Sequence, residues 1–182
     1  MSELLTAAPT RTWSLRIAYG LICLGIILLQ LLPLQTMPRD IAGPEIMLIM
    51  TFAFALRRPE LVPPALVGSV ALLADLLLQR PPGLMAGLTV VATQALRNRS
   101  EGLRTLPFSV EWLTAALALT AVLLGFRIAL AIFMISQPPI LLTFTQIASS
   151  ALFYPVMVIG VVALFGMRRV APGEMDTMGH RL

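Results

Sequence analysis

The sequence predicts an all-α membrane protein, a six-transmembrane-helix bundle, and three observations carry that reading. First, 58% of the 182 residues are hydrophobic and only 12% are charged, against about 45–50% and about 25% in soluble domains. Second, the apolar residues fall in blocks of about the length that crosses a hydrocarbon core of about 30 Å. Third, all 13 basic residues are arginine, and all but Arg127 lie between or at the borders of the blocks rather than along one face. That placement argues against nucleic acid as a partner, despite the net charge of +4, because nucleic-acid binding needs a basic face.

Taken in order, the predicted spans are 16–34, 41–56, 61–78, 83–96, 108–135 and 139–165. The first ends where Pro33 and Pro38 punctuate the chain, and the third opens at Pro63-Pro64, since proline is tolerated in a first helical turn. The second and fourth are short, open to being tilted, re-entrant or packed inside the bundle. The fifth and sixth are long enough to cross with tilt. The first reads as a retained helix rather than a signal peptide. Glu3 precedes the first basic residue, and the apolar run 17–34 exceeds a signal core of about 7–15 residues. Residues 1–15 are then a cytoplasmic segment, 16–167 the transmembrane domain and 168–182 a cytoplasmic tail expected to be disordered.

Orientation follows from the arginines, because basic residues concentrate on the cytoplasmic side. With both ends inside, that side receives Arg11, Arg16, Arg57, Arg58, Arg97, Arg99, Arg104, Arg168, Arg169 and Arg181. The outside receives Arg39 and Arg80, and Arg127 falls within span five. Removing one span would scatter the clusters onto both faces. The external connections (35–40, 79–82 and 136–138) are too short for a folded extracellular domain.

Ionisable side chains inside a membrane span are costly, so each asks for a partner or a function. Glu45 and Asp75 each lie roughly 7 Å below the outer end of their helices and Arg127 roughly 13 Å below its own, at about 1.5 Å per residue. Arg127 is expected to be neutralised by Asp75, by Glu45 or by both, fixing helices together. A ligand or proton site, or Arg127 snorkelling outward, are the alternatives. Glu111 and Trp112 read as interfacial anchors. Gln146, Ser149, Ser150 and Tyr154 are expected to bond to neighbouring helices or their own backbone, or else to line a substrate path. Ala18, Gly20 and Gly25 suggest a close-packing face, and Arg80-Pro81-Pro82-Gly83 a rigid turn.

Catalysis, a metal and a cofactor are not expected. His180 is the only histidine, Cys23 the only cysteine, and no phosphate-binding glycine loop ending in Lys-Ser/Thr occurs.

The stretch Leu72-Leu73-Ala74-Asp75-Leu76-Leu77-Leu78-Gln79-Arg80-Pro81-Pro82-Gly83, followed by a helix ending in Leu96-Arg97-Asn98-Arg99, resembles MreD. This is the rod-shape-determining inner-membrane family of bacteria, in which an Asp-Leu pair late in a helix precedes a short turn ending in Gly. Asp75, Leu76 and Gly83 match that pattern. Gly43-Pro44-Glu45 and Leu56-Arg57-Arg58-Pro59 are similar to alphaproteobacterial members. The resemblance implies a fold similar to the substrate-binding component of energy-coupling-factor transporters. It also implies a non-enzymatic scaffold that associates with MreC, MreB and the RodA–PBP2 peptidoglycan synthase. The rival is a vitamin-type binding subunit of a transporter, with Asp75, Glu45, Arg127 and Gln146 lining an outward pocket. In the scaffold reading, Arg57, Arg58, Arg97, Arg99, Arg104, Arg168 and Arg169 would meet anionic membrane lipids or an acidic partner surface.

Overall fold

The computed structural model describes residues 7–32, 42–103 and 106–165. They form α1 (Ala7–Leu31), α2 (Ile46–Arg57), a 3-10 turn (Pro59–Leu61), α3 (Pro64–Leu77), α4 (Leu84–Leu103), α5 (Phe108–Ile132) and α6 (Ile140–Phe165). No strand occurs among the described residues. Arg39, Arg104, Arg168, Arg169, Arg181, His180 and the 168–182 tail lie outside them.

Local chemistry sets most boundaries. Arg58 precedes Pro59 and is pushed out of the helical region (φ −143°, ψ 72°), which ends α2. Pro64 occupies the first turn of α3, where no N–H is needed. Pro107 precedes α5 in extended conformation. α3 and α5 close in the same way. The Arg80 N–H donates to the Asp75 carbonyl (2.9 Å) and the Ile135 N–H to the Leu130 carbonyl (3.0 Å), each across a left-handed residue, Gln79 (φ 55°) or Met134 (φ 53°). This is the Schellman closure, built here without its usual glycine.

Among the described residues, three helices are long and apolar enough to cross a membrane: Thr12–Leu31, Phe108–Ile132 and Ile140–Ala163. α2 and α3 are shorter apolar helices. α4 departs from the sequence expectation, because it continues through Arg97, Asn98, Arg99 and Glu101, residues assigned above to a loop. Thr89, Thr93, Leu96 and Ser100 continue one buried face into that segment, so packing extends the helix past its apolar stretch.

α2 is the centre of the bundle. Every residue from Met47 to Leu56 is buried, and the helix touches α1, α4, α5 and α6. A helix that is apolar all round belongs in an interior. α1 lies outermost and packs through one stripe at four-residue spacing, Tyr19, Cys23 and Ile27. Tyr19 donates to Thr51 Oγ (2.8 Å), whose own proton goes to the Met47 carbonyl (2.7 Å). The small residues of α1 do not form the expected packing face, since a methyl on Gly20 or Gly25 would meet nothing within 4 Å. Close approach occurs instead at Gly68, where a methyl would come within 3.3 Å of Val90 on α4.

Because a non-glycine residue in the left-handed region is strained by roughly 1 kcal/mol, Gln79→Gly is expected to raise stability by about that amount. Thermal unfolding in detergent measures it, and a lowered midpoint would contradict the closure described here.

Candidate functional site

Three buried carboxylates organise the polar interior, and each is taken up by groups from other elements. At the start of α2, Glu45 is 6% exposed. Its Oε1 lies 3.5 Å from both Nη1 and Nη2 of Arg80, on the α3–α4 turn. Its Oε2 accepts from Gln146 Nε2 on α6 at 2.9 Å, and its N–H donates to Ser150 Oγ at 3.0 Å. Just before it, the Ala42 N–H donates to Thr145 Oγ (3.1 Å) and Ser149 Oγ donates to the Ala42 carbonyl (3.2 Å). Segment 42–45 is therefore non-helical backbone laid on α6, with its polar groups satisfied by α6 side chains, as burial in an apolar medium demands.

Asp75 does something different. It is 1% exposed, and its Oδ2 accepts from the Gly83 and Ala86 N–H groups, both at 3.1 Å. These are among the unpaired amides at the start of α4. A residue near the end of one helix thus caps the next, placing a carboxylate at the positive end of the α4 dipole. Gly83 takes φ +83°, which a side chain would strain. The Asp75 and Gly83 that carry the family resemblance are hydrogen-bonded partners in one turn. Leu76 is 58% exposed and takes no part in it.

The third carboxylate is Glu111, on the first turn of α5 and 1% exposed. Arg57 Nε donates to its Oε1 (3.0 Å) and Nη2 lies 3.4 Å from its Oε2, a fork-on-fork pair. The Tyr154 hydroxyl of α6 adds a bond to Oε1 at 3.1 Å. Helices α2, α5 and α6 are joined at this point. Trp112 beside it is not a free interfacial anchor, because its Nε1–H donates to the Ala151 carbonyl at 2.8 Å. The reason lies four residues along α6. Pro155 has no N–H to give Ala151, so the indole supplies the missing donor.

The expected pairing of Arg127 with Asp75 or Glu45 does not occur. Arg127 Nη1 donates to the Pro138 carbonyl and to Thr143 Oγ, both at 2.9 Å. α4 lies between α3 and α5, and the carboxylate oxygens of Asp75 and Glu45 accept from other donors. The loop before α6 instead brings a proline carbonyl and a threonine hydroxyl to the guanidinium. Sequence reasoning also passed over the pairs Glu45–Arg80 and Arg57–Glu111. The signal was present, since each pair lies at matching ends of its predicted spans.

Of the basic residues, Arg58 pairs with Glu60 at 3.3 Å, Arg97 donates to Gln94 at 3.3 Å, and Arg99 is exposed. Arg16 donates through Nε and Nη2 to the Glu60 carbonyl at 3.1 and 2.7 Å. An apolar groove of ≈ 470 Å³ lies between the start of α5 and the end of α6, bordered by Arg57, Phe108, Pro155 and Val162. No group of three or more metal-ligating side chains occurs among the described residues. Comparison of the chain with family models, curated proteins and solved structures finds no match.

Substitutions at Asp75 and at the Trp112–Pro155 pair test these assignments. Asp75→Ala, which removes both amide acceptors, is expected to cost about 1–2 kcal/mol in chemical denaturation, with Asp75→Asn losing less. Trp112→Phe should cost about 1–2 kcal/mol by orphaning the Ala151 carbonyl. In a Pro155→Ala background that loss should shrink, since residue 155 then donates to Ala151 itself. An unchanged loss in both backgrounds would refute the compensation.

Proposed function

We propose that this chain is a non-enzymatic scaffold of the bacterial cell-elongation (rod) complex. It would cross the inner membrane six times with both ends in the cytoplasm, and would bind MreC and, with it, MreB and the RodA–PBP2 synthase. The carrying observation is how the buried carboxylates and the partly buried arginines are used. Glu45, Asp75, Glu111, Arg57 and Arg127 each hold one segment of the bundle to another. Groups committed in this way maintain a shape, which is what a docking platform requires. The resemblance to MreD supports the same reading, because the Asp75–Gly83 pair makes one rigid helix–turn–helix unit.

The arginine distribution supports the orientation. Arg16, Arg57 and Arg58 gather at one end of the bundle, around the 3-10 turn. Arg80 is at the other, beside Glu45. Ten arginines against two across the whole chain argue that the richer end faces the cytoplasm. The transporter-subunit reading is less well supported, because Glu45 and Gln146 bond to each other and Asp75 caps α4.

Depletion in the native rod-shaped host is the direct test. Rounded cells are the expected outcome, and wild-type protein should restore rods. Normal shape with defective vitamin uptake would reject the scaffold in favour of the transporter subunit.

A further inference from the structure

The helices of this bundle differ widely in apolar length: α3 and α4 are short, whereas α5 and α6, and the α1 helix that packs on α3, are long. α5 and α6 have 25 and 26 residues, a rise of about 37 and 39 Å at about 1.5 Å per residue. α3 has 14 residues, a rise of about 21 Å. α4, which packs along α3, is apolar only over 84–96, about 20 Å, before Arg97, Asn98 and Arg99. Polar groups mark both borders of this short band. Glu60 is exposed below α3, Gln79 is exposed and Arg80 partly exposed above it, and Gln94, Asn98 and Arg99 are exposed on α4.

Between those borders the outward face is hydrocarbon. Leu72, Leu73, Leu76 and Leu77 of α3 and Val91 of α4 are exposed. The exposed hydroxyl of Ser69 closes on the Leu66 carbonyl of its own helix. Such a face offers nothing that a polar partner would recognise and suits lipid chains. A hydrocarbon core of about 30 Å overhangs a band of about 20 Å by about 10 Å. Extending the arginines outward recovers a few ångströms. The rest must come from the bilayer.

We propose that the α3–α4 flank thins the membrane beside it and selects short-chain phospholipid, while the α5–α6 flank accepts lipid of ordinary length. The protein would then sit across a step in bilayer thickness. The proposal rests on the six-span reading, which places α3 and α4 in the membrane, but does not depend on the scaffold role.

The test uses the full chain carrying Cys23→Ala and a single labelled cysteine, Val91→Cys on the thin flank or Leu117→Cys on the thick one. Each is reconstituted into phosphatidylcholine with chains of about 14 to 22 carbons, and brominated lipid of each length quenches the label. At position 91 the relative lipid affinity should fall with chain length, short over long by roughly fivefold. At position 117 the optimum should lie at longer chains. Extending the α4 band with Gln94→Leu and Arg99→Leu should move the position-91 optimum towards longer lipid. Identical chain-length profiles at the two positions would overturn the proposal while leaving the six spans intact. No quenching at position 91 by any lipid would remove α3–α4 from the bilayer and take both readings down together.

Discussion

The bundle is organised around a short helix that has no access to water along its length. α2 is buried on every side from Met47 to Leu56, yet at 12 residues it rises only about 18 Å. Its ends therefore fall where polar groups cannot simply be solvated. Each end is closed by an ion pair that reaches another element, Glu45 to Arg80 at one and Arg57 to Glu111 at the other. Each is also tied to α6, through Gln146 and Tyr154 respectively. Removing one member of a buried pair leaves an uncompensated charge, at about 3–5 kcal/mol. The position of α2 and the positions of those four charges are thus a single constraint.

The same logic governs the irregular backbone. Three departures from regular helix in the interior are each matched by a donor or acceptor from a neighbouring element. The unpaired amides at the start of α4 find Asp75, and the carbonyl released by Pro155 finds Trp112. Segment 42–45 finds the hydroxyls of Thr145, Ser149 and Ser150. These matches cross between elements distant in sequence, so they specify which helices are neighbours as well as satisfying polar groups. A platform for other membrane proteins needs that fixed arrangement more than it needs a reactive centre.

The helical character and the order of the six helices were legible from composition and from the arginine-bordered blocks, because a membrane interior admits few backbone solutions. The shortness of α2 left it open to an interior position, and its burial from Met47 to Leu56 decides for that one. The partners of the buried charges were legible only in part. Asp75 and Glu45 were singled out, but Arg127 was assigned to them on depth alone. Depth fixes how far along a helix a charge lies and leaves open which face it occupies. Glu111 was assigned to an interface because it lies with Trp112 at the inner end of span five, and nothing local revealed that α2 and α6 would enclose it.

The sequence by itself determined that this chain is helical, how its helices are divided by proline and arginine, and how basic charge is distributed along it. These are local consequences of hydropathy and backbone stereochemistry. Only the tertiary structure decided that α2 lies at the centre, that Asp75 caps α4 and that Arg127 turns to Pro138 and Thr143. Those outcomes depend on which helix faces meet, and facing is set by packing the whole bundle at once rather than by any segment alone.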